Sequence, residues 1–114
     1  METMKISTSV DEKGIALVEI EGEIDARTAG DLDKALSDLL AQGHSRLVLD
    51  FIRLDYVSSA GLRALLRAQR AARDLGGEVR LFGLNDHVLR VFEMAGFNQM
   101  LRLADTDQEA VEGW

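Results

Sequence analysis

Residues 46–76 read RLVLDFIRLDYVSSAGLRALLRAQRAARDLG, a strand and a helix joined through a pair of serines. The segment opens with Leu47-Val48-Leu49-Asp50-Phe51, an apolar run too short for a helix and bounded by polar residues, which marks a strand. After a turn the chain reaches Val57-Ser58-Ser59-Ala60-Gly61, and from there the period is helical. Leu62, Leu65, Leu66, Gln69, Ala72 and Leu75 recur at about 3.6-residue spacing, so that all but the glutamine line one face. Gly76 and Gly77 end the helix, since glycine readily takes the left-handed conformation that helix C-termini use. Two serines therefore stand where a strand hands over to a helix whose first backbone N–H groups have no intrahelical partner.

Upstream of this segment, residues 5–10 form a weak strand of imperfect alternation, and residues 11–14 have the composition of a turn. Residues 15–21 follow as a second strand, with Ile15, Leu17 and Ile20 apolar, so the two strands can close a hairpin. The second strand is expected to break at Gly22-Glu23-Ile24-Asp25. From about Ala26 to Ala41 the period is helical again: Ala29, Leu32, Leu36, Leu39 and Leu40 make a stripe, Asp25 or Thr28 caps it, and Gly43 ends it.

Downstream, residues 79–82 are a further strand. Asn85 or Asp86 caps a short helix carrying Val88, Val91, Phe92 and Ala95, closed by Gly96-Phe97. Residues 101–103 are a short last strand, and Thr106 with Glu109 suits a capping box for a final turn or two of helix. The order hairpin, helix, strand, helix, strand, helix, strand, helix predicts a layered α/β domain. Its mixed β-sheet carries an N-terminal hairpin and about four helices, with the later strands mostly parallel. Strand order does not follow from such a pattern.

Bulk properties bound the function. A chain of 114 residues suits a single domain, residues 1–114 with a core of about 4–112. The absence of cysteine excludes disulfides and thiolate chemistry. No apolar run reaches the roughly 18 residues of a membrane span, and the first residues lack the hydrophobic segment of a signal peptide, so a cytoplasmic location is expected. Lys and Arg number 13 against 20 Asp and Glu, a formal charge of −7, which speaks against a nucleic-acid partner and for a protein or small ligand.

Catalytic equipment is sparse. His44 and His87 lie far apart in polar neighbourhoods with no cysteine to join them, so the expectation is surface or capping histidines and no metal. No glycine-rich phosphate loop occurs. Glu21, Glu23 and Asp25 alternate around a turn, but a polar, exposed setting gives paired acids no reason for raised pKa values. Arg63, Arg67, Arg70 and Arg73 fall broadly on one side of the central helix, either as a solvated face or as a contact for an acidic partner.

Ser58 or Ser59 at a helix start is what N-capping alone selects, a role worth about 1 kcal/mol. The functional reading is phosphorylation: the unpaired N–H groups and the positive end of the helix favour an added charge of about −1.5 to −2. Nucleophilic catalysis fails for want of a base, and Tyr56-Val57-Ser58-Ser59-Ala60-Gly61 lacks the Gly-x-Ser-x-Gly frame of a hydrolase elbow.

Three signatures together resemble the STAS domain of the bacterial anti-sigma factor antagonist family. The first is Gly22-Glu23-Ile24-Asp25 ahead of the first helix. The second is LVLDFIRLDYVSSAGLRALL, a hydrophobic strand ending in aspartate followed by a serine-containing helix start. The third is LGGEVRLFGLNDHVLRVFEMAGF, a Gly-Gly before a strand and a hydrophobic helix ending in Gly-Phe. The resemblance covers about residues 4–112 and implies the STAS fold. It implies that the domain catalyses nothing and holds no cofactor. It also implies partner switching: the unphosphorylated domain binds a serine-kinase anti-sigma factor, which releases its sigma factor, until the kinase phosphorylates the domain; a phosphatase restores it. The family's acceptor position falls on Ser59, with Ser58 as second choice because it stands where the signature has aspartate; the second Ser/Thr position is Ala60. The implied partner surface comprises Gly22, Glu23, Asp25, Ser58, Ser59, Gly61, Leu62 and Arg63, and monomer and weak dimer are both open. STAS domains also serve as docking subunits of lipid-transport ATPases, in which the serine need not be modified. An enzyme of another class would need a pocket joining a hydroxyl to a general base.

Overall fold

The computed structural model describes residues 4–114. Two N-terminal strands, β1 (Met4–Val10) and β2 (Ala16–Ile24), form the expected antiparallel hairpin, with Ile6 opposite Ile20. The chain continues through α1 (Ala29–Ala41), β3 (Arg46–Asp50), β4 (Leu54–Val57), α2 (Ser59–Asp74), β5 (Glu78–Phe82), α3 (Asp86–Met94), a 3-10 turn (Phe97–Gln99), β6 (Arg102–Ala104) and α4 (Asp107–Ala110). The sheet runs in the order β1-β2-β3-β5-β6. Every pairing beyond the hairpin is parallel, as the strand-helix alternation predicts.

Alternation along the strands divides their side chains between two faces. Ala16, Val18 and Ile20 of β2, Leu47 and Leu49 of β3, and Val79 and Leu81 of β5 face one way. They pack with Leu32, Leu36 and Leu39 of α1, Leu62, Leu65 and Ala72 of α2, and Val88 and Phe92 of α3. Ile15, Val48 and Phe82 face the other way and are buried with Ala110.

The structure departs from the sequence reading in four places. β2 does not break at Gly22 but runs on to Ile24 through a bulge between Gly22 and Glu23, where Gly22 takes φ 95° and its N–H donates to the Arg53 carbonyl at 2.9 Å. The run-on is possible because of β4, a strand the sequence reading passed over as a turn; it pairs with the end of β2, Tyr56 opposite Glu23 and Val57 opposite Ile24. The regular part of α1 starts at Ala29, not Ala26. Residues 26–28 form a turn in which the Ala29 N–H reaches back to the Asp25 carbonyl at 3.0 Å. On α2, Gln69 is buried at 4% exposure whereas Leu75 is 55% exposed, the reverse of their polarity. Gln69 is stabilised inside by two hydrogen bonds: its Oε1 accepts from Val79 N–H at 2.7 Å and its Nε2 donates to the Met100 carbonyl at 3.1 Å. Leu75 lies beyond the last full turn, at the C-cap, where the helix leaves the core.

Candidate functional site

The end of β4 and the start of α2 make a sharp junction. Ser58 is extended (φ −88°, ψ 169°) and is the N-cap of α2. Its Oγ accepts from Gly61 N–H at 3.1 Å, its carbonyl accepts from Leu62 N–H at 2.9 Å, and its own N–H donates to the Ile24 carbonyl at 2.7 Å. All of these atoms are occupied in holding the junction. Ser59, the first helical residue, is exposed, and no described residue engages its hydroxyl. The two adjacent hydroxyls thus have different situations, one committed to the backbone and one open to solvent.

The same bond from Ser58 to Ile24 brings the β2–α1 corner against the helix start, so Ser58, Ser59 and residues 22–25 meet at one edge of the molecule. Gly61 of α2 packs closely against Ile24 and Val57. A Cβ there would lie 2.6 Å from Ile24 Cγ2 and 3.0 Å from Val57 Cγ2, so the position admits only glycine without a shift in its neighbours.

Asp25 and Thr28 brace the corner reciprocally. The Asp25 carboxylate accepts from the N–H groups of Arg27 (2.9 Å) and Thr28 (3.0 Å), while Thr28 Oγ1 accepts from Asp25 N–H (2.8 Å) and donates to the Glu23 carbonyl (3.0 Å). The Thr28 N–H, chiefly, lowers the Asp25 pKa; desolvation opposes it, and the bonds from Arg27 and the Thr28 hydroxyl add to it. The two residues expected to cap α1 thus brace the turn ahead of it: Thr28 holds the N-cap position, but its side chain makes no cap hydrogen bond to the helix.

The other expected site residues divide by exposure. Glu23 and Arg63 are exposed, Arg63 one helical turn beyond Ser59 and Glu23 in register with Tyr56 of β4. Leu62 is only 8% exposed and belongs to the core, so it backs the surface and does not present a side chain to it. Along α2, Arg67 is tied to Asp33 of α1 at 3.2 Å, whereas Arg63, Arg70 and Arg73 make no ion pair among the described residues. The sequence reading missed Tyr56, 42% exposed on β4 and in register with Glu23, two residues before Ser58. The signal was an exposed aromatic in a strand of four residues, too short to show a period.

Chemically the arrangement offers an accessible hydroxyl next to a braced acidic corner. No histidine or carboxylate bonds either serine hydroxyl among the described residues, and those residues hold no cluster of His, Asp and Glu suited to a metal. Among the same residues no helix is long and apolar enough to cross a membrane.

Comparison with known proteins adds a lineage. Residues 8–103 match a family model described as "Mlab, STAS domain". The chain is 36% identical over 97 residues to the "Putative anti-sigma factor antagonist BtrV" of Bordetella bronchiseptica, over 85% of this chain and 84% of that one. It is 31% identical over 108 residues to the anti-sigma-B factor antagonist of Listeria monocytogenes, over 93% and 95% of the two chains. Among solved structures, one from Thermotoga maritima described as a "putative anti-sigma factor antagonist" superposes with a TM-score of 0.85 at 19% identity, over 94% and 92% of the two chains, which speaks to the fold.

Proposed function

The chain belongs to the STAS-domain family of anti-sigma factor antagonists, and from that premise we propose that it is a partner-switching regulator whose switched residue is Ser59. Partner switching is the family's mode of action, and its members are regulatory modules without catalysis of their own. In this chain the unphosphorylated domain docks a serine-kinase anti-sigma factor in the cytoplasm through the start of α2 and residues 22–25, and the kinase lets go of its sigma factor. The kinase then transfers the γ-phosphoryl group of ATP to Ser59 Oγ; the hydroxyl proton leaves, ADP is released, and the complex ends. A phosphatase restores the hydroxyl. No cofactor resides in the domain.

The observation that carries the choice of residue is the division of labour between the serines: Ser58 Oγ is engaged by Gly61 N–H, while Ser59 is exposed one residue on. A phosphate at Ser59 leaves the cap intact, gains from the positive end of the helix, and brings a double charge and its desolvation penalty into the docking surface.

Incubation with the cognate kinase and ATP is expected to add one phosphate, assigned to Ser59 by tandem mass spectrometry. Ser59→Ala abolishes labelling and keeps kinase binding measurable. Ser59→Asp folds but binds at least tenfold more weakly, about 1.4 kcal/mol or more. Ser58→Ala still accepts phosphate but loses about 1 kcal/mol of stability with its cap. Phosphate on Ser58 would move the site by one residue.

A second reading rests on Ser58 standing where the family signature has aspartate. In it the same surface docks the ATPase subunit of a lipid-transport complex and the serine stays unmodified. A kinase that binds the domain and labels neither serine, together with an ATPase subunit that co-purifies, would favour it.

A further inference from the structure

The two apolar faces of the sheet are covered unequally. Helices α1, α2 and α3 pack on one. On the other, Ile15, Val48 and Phe82 are covered by the chain's last described residues, with Ala110, Val111 and Trp114 lying against them. The only helix in this cover, α4, has four residues, far too few to hold together without tertiary support.

Arg80 supplies that support. It sits in mid β5 between Val79 and Leu81, points to the thinly covered face, and is 5% exposed. Its Nη1 donates to the carbonyls of Ala110 (3.0 Å) and Glu112 (2.7 Å), and its Nε to the Glu78 carboxylate (2.7 Å). The guanidinium carbon lies 3.7 Å from the centroid of the Trp114 ring. A buried guanidinium is tolerated only when its charge and donors are matched. Here Ala110, Glu112 and Trp114 on the C-terminal segment do most of the matching, and Glu78 on the strand does the rest. Glu78 belongs to β5 like Arg80 and not to the segment, so lifting the segment need not part the charge from its counter-ion.

We propose that residues 105–114 are a strap that opens as a unit, with Arg80 as its lock and the apolar sheet face of Ile15, Leu17, Val48 and Phe82 as the surface it uncovers. The cover is already incomplete when shut: a groove of about 300 Å³ runs between Asp107 and Val111 of the strap and Ile15, Leu17 and Val48 of the sheet. The uncovered face lies on the opposite side of the sheet from α2, so opening the strap leaves the packing of α2 in place.

Amide hydrogen exchange on the intact chain tests this. The N–H groups of Ala110, Val111 and Trp114 are expected to exchange at least a hundredfold faster than those of Ala64 and Leu65 in mid α2, which need global unfolding. Arg80→Met, which keeps the stem and removes the lock, speeds exchange in the strap at least tenfold further and leaves α2 unchanged. It also shifts the emission of the sole tryptophan to the red and raises binding of an apolar dye. Equal exchange rates in strap and α2 of the unmodified chain, or an Arg80→Met that loosens both alike, would overturn the proposal. Should Arg80→Met fail to fold, Trp114→Ala, which removes only the stacked ring, serves in its place: strap exchange rising severalfold with α2 unchanged supports the strap, and unchanged strap exchange overturns it.

Discussion

Ser58 and Ser59 carry the same hydroxyl, and one hydrogen bond from Gly61 N–H sets them apart. Asp25 shows how far a local bond can also set a titration. Its pKa is lowered, first by the Thr28 N–H, so the folded chain holds the carboxylate more tightly than the unfolded chain does. The stability it adds is fully present above the ordinary carboxylate range and is lost as pH falls through the folded-state value. Asp25→Asn keeps an acceptor for Arg27 and Thr28 but removes the charge. Its melting temperature is expected to lie below that of the unmodified chain at neutral pH, with the two curves converging as pH falls through the lowered folded-state value. An offset that stays constant with pH would mean that the charge contributes nothing. The serine pair and the Gly22–Asp25 motif were legible in the sequence because they are contiguous. The inward turn of Leu62 was legible too, from its place on the apolar stripe of α2; the outward turn of Tyr56 was not, since it depends on which neighbours flank it in space.

Among the elements, β4 and α2 place the site, and each is held by contacts that a local pattern does not encode. The four residues of β4 are stabilised by β2 on one side and by Asn85, whose Nδ2 donates to the Leu54 carbonyl at 3.0 Å while its Oδ1 caps α3 by accepting from Val88 N–H at 2.8 Å. Phe51, Phe92 and Phe97 pack edge to face beneath this corner, with centroids 6.2 and 6.1 Å apart. At the far end of α2, Gln69 ties the helix to β5 and to the segment before β6. Gln69→Leu restores the apolar stripe that periodicity alone favours, yet it leaves the Val79 N–H without its acceptor inside the core. It is expected to destabilise the domain by about 1–3 kcal/mol, read as a lower denaturation midpoint with an unchanged slope. A variant more stable than the parent would show that the stripe outweighs the bond. Helical periodicity located α2 correctly and misjudged Gln69, because a period reports direction from the axis and not the presence of an unpaired donor opposite.

At the scale of the whole molecule, the net charge of −7 sets what the surface attracts. Fluorescence anisotropy with duplex DNA at about 0.15 M salt is expected to show no binding; saturable binding would point to a local basic surface that overrides the net charge, with the exposed arginines of α2 as its first candidate. Taken by itself, the sequence determined the alternation of strands and helices apart from β4, the hairpin, the starts of α2, α3 and α4, the glycine stops of α1, α2 and α3, the parallel character of the later strands and the serine pair at a helix start. These are consequences of period, capping and turn chemistry, which act between residues a few positions apart. Only the tertiary structure decided the strand order β1-β2-β3-β5-β6, the extension of β2 by β4, the meeting of Ile24 with Ser58, the burial of Gln69 and the closure of the C-terminal strap over Arg80. Apart from the Gln69 bond to Val79, these join residues distant along the chain, and all of them arise when packing must find a partner for each polar group it removes from water.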